Sequence, residues 1–349
     1  MANVLVDTGL LAVGEISFAA HDTAIQNASI LDPASPAAGS IVELAILVFV
    51  IAGLIFLVVE GVLLYSVWRF RERADEPNSE PPQVYGSPPI EVAWTAAPAM
   101  IVLFLVLVTT RTLWEVNPTP PEPKPDDHAL FVTVIAKQWW WEYRYDEYDG
   151  RKLGFITANE LHIPASESGT QRPVHLMLQT ADVCHSFWVP RLAGKMDVIP
   201  GRTNALHLQS DQPGLYVGQC AEYCGTQHAN MLIRVVVDPP EVFNRWLQNE
   251  MLPAVDDPAA REGRRIFLSQ SCVNCHRVQG TTANGSYAPD LTHLASRETL
   301  ASGMVPNNVE VLTQWVDNPQ SIKPGCLMPA FGLGKRDRDL LVQYLTSLR

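Results

Sequence analysis

Positive charge is scarce in this chain of 349 residues: 25 Lys and Arg stand against 37 Asp and Glu, a formal net charge of -12. No nucleic-acid partner is expected. The deficit is uneven. From residue 253 onward there are 10 basic and 9 acidic side chains, and the remainder carries 15 against 28. An acidic front part is either simply solvated or suited to a basic redox partner steered by charge. Cysteine is scarce too. Six at this length form no disulfide framework, which leaves the thiols for other chemistry. A basic residue ahead of the mildly apolar run 4–20 is also missing, and Asp7 and Glu15 interrupt that run. It makes a poor signal peptide, though a processed leader stays open. Residues 1–40 read as an N-terminal outer segment ending in a Pro/Ala/Ser loop.

What is abundant is apolar: 47% of the chain. Residues 41–68 are mostly Leu, Ile and Val, longer than the ~20 residues a membrane span needs. Tyr65 and Trp68 anchor one end, and Arg69, Arg71 and Arg73 follow, so that end faces the cytoplasm. Glu60 lies inside the span, read as facing a partner protein or protonated. A polar, Pro-rich loop leads to a second span at 92–113, closed by Arg111 and Trp114. The region 41–115 is thus a transmembrane helix hairpin, with both chain ends outside. It is too small to be a channel alone. A Pro-rich linker (116–128, containing PTPPEPKP) is extended and semi-rigid.

From residue 129 the pattern changes to short alternating strands, at 131–135, 175–179, 205–208 and 231–237. Before the last lies CAEYCGTQHANM (220–231): two thiols, an imidazole, a thioether and a carboxylate. Soft sulfur plus imidazole suits copper. A mononuclear blue-copper loop needs one Cys. The second, four residues on, allows two bridging thiolates, Cys220 and Cys224, holding two ions. Each ion then needs its own imidazole: His228 is one, and His185 in TADVCHSFWVP is the natural candidate for the other. A zinc site or a Cys220–Cys224 disulfide are the rival readings, and neither uses the Met or the Gly.

This loop resembles that of cytochrome c oxidase subunit II, which holds the binuclear CuA centre on a cupredoxin β-sandwich. The resemblance covers about residues 41–240, with the CuA domain at 129–240. It implies that Met231 is a weak axial ligand, and that Glu222 gives its carbonyl to copper and its free carboxylate to a magnesium ion shared with subunit I. KQWWWEYRY (137–145) resembles the family's aromatic segment, so Trp139 is implied as the residue that receives electrons; by packing alone it would read as core. Asp197 and VIPGR (198–202) also resemble the family. Cys184 stands where the family has an aliphatic residue and reads as a small buried hydrophobe.

Residues 241–256 read as a linker, amphipathic and then acidic with proline, and residues 257–349 as a separate domain. A helix at 261–271 leads into CVNCH (272–276), the pattern for covalent haem: thiols of Cys272 and Cys275 on the vinyl groups, His276 on iron. Downstream come APDLT (288–292), a helix at 307–318, KPGCLMPAF (323–331) and an amphipathic helix at 336–348. The order resembles a class I cytochrome c, an all-α domain. That implies Met328 as the sixth ligand, ahead of Met304 and His293, and Pro289 supporting His276 through its carbonyl. Cys326 reads as a free thiol.

Together the parts resemble subunit II of a caa-type haem-copper oxidase. The resemblance implies an electron path from an external cytochrome or quinol-oxidising complex, through haem c and CuA, to subunit I. There oxygen is reduced and protons are pumped, in assembly with other oxidase subunits and membrane lipid. It implies a two-pass protein of the bacterial plasma membrane with both redox domains on the outer, periplasmic side. The alternative is a membrane-anchored CuA/haem c carrier or redox sensor of another respiratory complex, although no cytoplasmic output domain is visible.

Overall fold

The computed structural model describes residues 29–71, 83, 85–116 and 128–349. The expected polar loop after residue 71 and the Pro-rich linker at 116–128 lie mostly outside them, as does nearly all of the segment before residue 29.

Helix α1 spans Pro36–Arg69 and α2 spans Pro88–Val116. Both are apolar on every face, and the two pack side by side. A helix with no polar stripe has nothing to orient it against water, so lipid is its natural solvent. Ser35 caps α1: its hydroxyl oxygen accepts from Ala38 N, and the hydroxyl donates to Leu192 O at 2.6 Å. Pro36 occupies the first turn, where no backbone donor is lost. Both helices outrun the expected spans by several residues. At 34 residues α1 is ~51 Å long, beyond the ~30 Å of a bilayer's hydrocarbon core. Its extra turns end against the β-domain. Ala34 N donates to Arg191 O (2.9 Å), Ser210 Oγ donates to Ala34 O (2.7 Å), and Ala38 is buried.

The β-domain is a sandwich of two five-stranded sheets. One has the order β3 (Arg151–Ala158), β2 (Trp140–Tyr148), β1 (Leu130–Lys137), β5 (Val174–Thr180), β8 (Asn204–Leu208). The other has β4 (Glu160–Pro164), β10 (Leu232–Asp238), β9 (Gly214–Cys220), β6 (His185–Trp188), β7 (Met196–Val198). All four strands expected from alternation are present, each a residue or two longer or shifted. Inward residues such as Val132, Val134, Trp141, Phe187 and Val235 form the core. Register then places the metal ligands. Phe187 pairs with Cys220, so His185, two residues along and on the same face, lies beside the loop that leaves β9.

The expected linker at 241–256 is corrected in its first half. Helix α3 (Pro240–Glu250) packs on the sandwich: Phe243 and Leu247 are buried, and Trp246 stacks on His162 at 4.4 Å. Positions 243, 246 and 247 share one helical face, and that stripe needs an apolar surface to cover it. The connecting stretch is therefore short, beginning at Met251.

The C-terminal domain holds α4 (Arg261–Ser269), the short α5 (Cys272–Cys275), α6 (Val309–Asp317) and α7 (Lys335–Ser347). Its core is Ile266, Phe267, Leu312, Val316, Leu341 and Tyr344. Helices α4 and α7 cross at Gly263, where a Cβ would lie 2.0 Å from Leu340 O. A small hairpin, β11 (Thr299–Leu300) and β12 (Val305–Pro306), adds to the expected helices. It rests on the sandwich. Glu160 accepts from the amides of Glu298 (3.1 Å) and Thr299 (2.9 Å) and from Thr299 Oγ1 (2.6 Å). Arg234, 1% exposed, reaches Glu298 at 2.6 Å and Glu160 at 3.6 Å.

Candidate copper centre and haem cavity

The loop after β9 brings the predicted copper ligands together. Cys220 Sγ and Cys224 Sγ lie 3.8 Å apart, and both thiols are free. His185 Nδ1 is 3.8 Å from Cys220 Sγ, and His228 Nδ1 is 3.7 Å from Cys224 Sγ. Met231 Sδ is 3.8 Å from Cys224 Sγ, and Glu222 O is 3.2 Å from Cys220 Sγ. Two sulfurs sit in the middle, each with its own imidazole outside it. A thioether lies on one flank and a carbonyl on the other. Six donors exceed what a tetrahedral zinc uses, and the pattern fits two ions sharing two thiolates. The Glu222 residue is exposed beside the loop.

Electrostatics prepare the thiols. The hydrogen bond between the two thiols moves them in opposite directions, holding Cys220 below the ordinary thiol range and pushing Cys224 above it. Metal binding would release the thiol protons of the pair. Burial draws His185 down, but Asp182, whose carboxylate meets Nε2 at 2.8 Å, carries it above its ordinary value. That contact leaves Nδ1 facing the sulfurs. The sequence does not single out Asp182; its one signal there is its place three residues before His185.

Trp139 joins this centre to a second one. Its Nε1 donates to Cys224 O at 3.0 Å, beside the Gln138 side chain, which donates to the same oxygen at 2.6 Å. Gly225, at φ +116°, allows this approach, since a Cβ there would lie 3.1 Å from both the Trp139 ring and Gln138 Nε2. Trp139 also lines a cavity in the C-terminal domain.

That cavity is also lined by Cys272, Cys275, His276 and Met328. His276 Nδ1 donates to Pro289 O at 2.7 Å, as the resemblance implies, which leaves Nε2 for iron. Burial lowers His276, which favours the neutral ring that can ligate a metal. The buried Nε of Arg297, another lining residue, has no hydrogen-bond partner among the described residues. An anionic group in the cavity would satisfy it. An apolar cavity with two thiols, a neutral imidazole and a thioether suits covalent haem. The rival sixth ligands lie elsewhere: His293 Nε2 is bonded to Leu252 O at 3.0 Å, and Met304 is not among the lining residues.

Two spare cysteines differ. Cys326 is half-buried and free, with Gln320 Nε2 3.2 Å from its sulfur. Cys184 is exposed, which corrects the expectation of a buried hydrophobe: it precedes β6 in a turn where Asp182 and Val183 are exposed as well. Lys323 is a further residue that sequence reasoning passes over. It precedes Pro324-Gly325 and lies buried between the two domains.

Comparison with known proteins agrees with this architecture. Residues 130–238 match the family "Cytochrome C oxidase subunit II, periplasmic domain", residues 23–111 its transmembrane domain, and residues 260–349 the family "Cytochrome c". The chain is 33% identical to cytochrome c oxidase subunit 2 of Alkalihalophilus pseudofirmus over 329 residues, 93% of this chain and 92% of that one. It is 36% identical to the subunit 2 of Bacillus sp. (strain PS3) over 296 residues, 80% of each. Among solved structures it is similar to the periplasmic domain of subunit II of Bradyrhizobium japonicum cytochrome oxidase, with 29% identity and a TM-score of 0.32. That match covers 37% of this chain and 95% of the other. Two apolar helices, a sandwich and a helical haem-type domain, matched in order and over most of their length, show that the chain belongs to the cytochrome c oxidase subunit II family, in a form carrying a C-terminal cytochrome c domain.

Proposed function

We propose that this subunit relays electrons from a haem c to a binuclear CuA centre and on to the haems of subunit I, where oxygen is reduced to water and protons are pumped. The observation that carries the reading is Trp139. One side chain lines the haem cavity and donates a hydrogen bond to the carbonyl of Cys224.

Cys272 and Cys275 would tether the haem, His276 and Met328 would ligate its iron, and haem bound in this way supplies a reversible one-electron store. Cys220 and Cys224 would bridge the copper pair, with His185, His228, Met231 and the Glu222 carbonyl around it. Asp182 and Pro289 fix the orientation of one imidazole at each centre. Burial of the thiols and of His185 keeps water away and the donor positions fixed, which favours transfer at small driving force. The Glu222 carboxylate, on an exposed residue of the copper loop, would take a magnesium ion shared with subunit I.

Arg69 and Arg71 at the far end of α1 support a cytoplasmic position for that end. The sandwich, seated on the other end, would then lie on the outer face with the haem domain. An external cytochrome or a quinol-oxidising complex would be the donor.

Electron paramagnetic resonance of the copper-loaded full chain tests the centre. Spin shared over two copper nuclei gives a seven-line hyperfine pattern. A four-line signal from one copper in a fully loaded sample would withdraw the bridged-thiolate assignment, and with it the relay.

A further inference from the structure

We infer that Lys323 is a positioning residue for haem-to-copper electron transfer, tying the main chain at Trp139 and at the copper loop to the haem domain. The inference rests on the relay proposed above.

Lys323 is 3% exposed. Its Nζ donates to Trp139 O at 2.8 Å and Asn230 O at 3.0 Å in the copper domain. In the haem domain it meets Ala301 O at 3.2 Å and Ser302 Oγ at 3.1 Å. None of these four partners is a carboxylate. Burying an ammonium without a counter-charge is expensive, and only well-aimed dipoles offset it. Burial does draw this amine down, to about 7. Such a group is poor material for stability alone.

What it fixes is specific. Asn230 immediately precedes the candidate ligand Met231, and Trp139 carries the contact to Cys224. Lys323 itself stands five residues before Met328 in the segment that closes the haem cavity. Ser302, whose hydroxyl donates to Trp139 O at 2.7 Å, is the second hand on the same carbonyl. A single side chain thus joins backbone beside both centres. The transfer it serves moves one electron from the haem iron to the copper pair, with no bond made or broken and no proton moved.

The test uses the full-length, haem- and copper-loaded protein in its oxidase. Flash reduction of the haem gives the rate of copper reduction. Pulsed dipolar spectroscopy gives the distance from the copper spin to a nitroxide at Val309→Cys, in a Cys184→Ser background. In Lys323→Met the transfer should slow about ten- to hundredfold, by analogy with the cost of a ~1 Å misplacement of a reacting pair. The distance distribution should broaden. Ser302→Ala, which keeps the ammonium, should slow transfer by a smaller factor in the same direction, and it decides the matter if Lys323→Met does not fold. An unchanged rate, or a slower rate with an unchanged distance distribution, overturns the positioning role. If the unsubstituted protein passes no electron from haem to copper, the relay itself fails. Because that control is measured first, the two failures are distinguishable.

Discussion

Replacing Glu160 by Ala should loosen the haem domain from the sandwich. Glu160, 4% exposed, accepts two backbone N–H groups and one hydroxyl from Glu298 and Thr299, and it faces the buried Arg234 guanidinium. The Ala variant leaves those donors without acceptors, and water reaches the site only if the domains part. Each of the three orphaned groups costs ~1–3 kcal/mol, while Arg234 keeps its pair with Glu298 at 2.6 Å. The contributions overlap, so ~3–5 kcal/mol is the working figure. At 1.4 kcal/mol per decade this shifts the docked-to-undocked ratio by roughly a hundred- to several-thousandfold. Glu160→Gln, which keeps one acceptor oxygen, should lose less. Hydrogen exchange in the full-length holoprotein is the assay, read at the Glu298 and Thr299 amides. Their protection should fall by the same factor, while the core strands β1 and β2 keep theirs. Unchanged protection at both amides in Glu160→Ala would refute the argument that this carboxylate fastens the domains.

Three other outcomes are expected. Gly225→Ala places a side chain against Trp139 and Gln138 at a left-handed position worth ~1–2 kcal/mol of strain, so copper retention after dialysis should fall while the haem spectrum is kept. Met328→Ala should leave the haem covalently attached but lower its midpoint potential and change its spin state, seen by spectroelectrochemistry; an unchanged spectrum would return Met304 or His293 as the ligand. Alkaline pH should destabilise the sandwich. Burial pulls His162 down, but the Asp238 carboxylate at 2.7 Å holds it above its ordinary value, so its stabilisation is complete below ~6.5 and is lost as pH rises through the raised value. Burial raises Glu250, which opposes its ionisation in the folded state, so folding also weakens above its unfolded value. Melting temperatures should therefore be higher near pH 6 than at pH 8.5, and His162→Gln should flatten the difference.

Local chemistry is legible wherever residue type and spacing carry it. The copper loop, CVNCH and the two spans can be read directly, because few structures besides a metal loop, a haem attachment site and a membrane helix call for those ligand spacings and unbroken apolar runs. The strands of the sandwich are legible from alternation. Helix α3 escapes the sequence because an amphipathic stretch followed by acidic residues and proline also describes a linker; only the surface that Phe243 and Leu247 cover distinguishes the two. Cys184 misleads because cysteine's average burial says nothing of a turn. The domain interface is beyond reach. Lys323, Glu160 and Arg234 are ordinary charged residues in sequence, and their roles arise from partners in the other domain, 64 to 184 positions away.

The clasp before α1 bears on assembly. With Ala34 bonded to Arg191 and Ser210, and Ser35 to Leu192, the sandwich is seated on the end of a membrane helix at its first turn. A domain on a free tether samples all orientations and must lose that freedom when it binds. This one has surrendered most of it on folding, since the axis of α1 sets which way the copper loop faces relative to the bilayer. Meeting a membrane partner then becomes a search in two dimensions and one rotation, and the entropy of alignment is settled before the partner arrives.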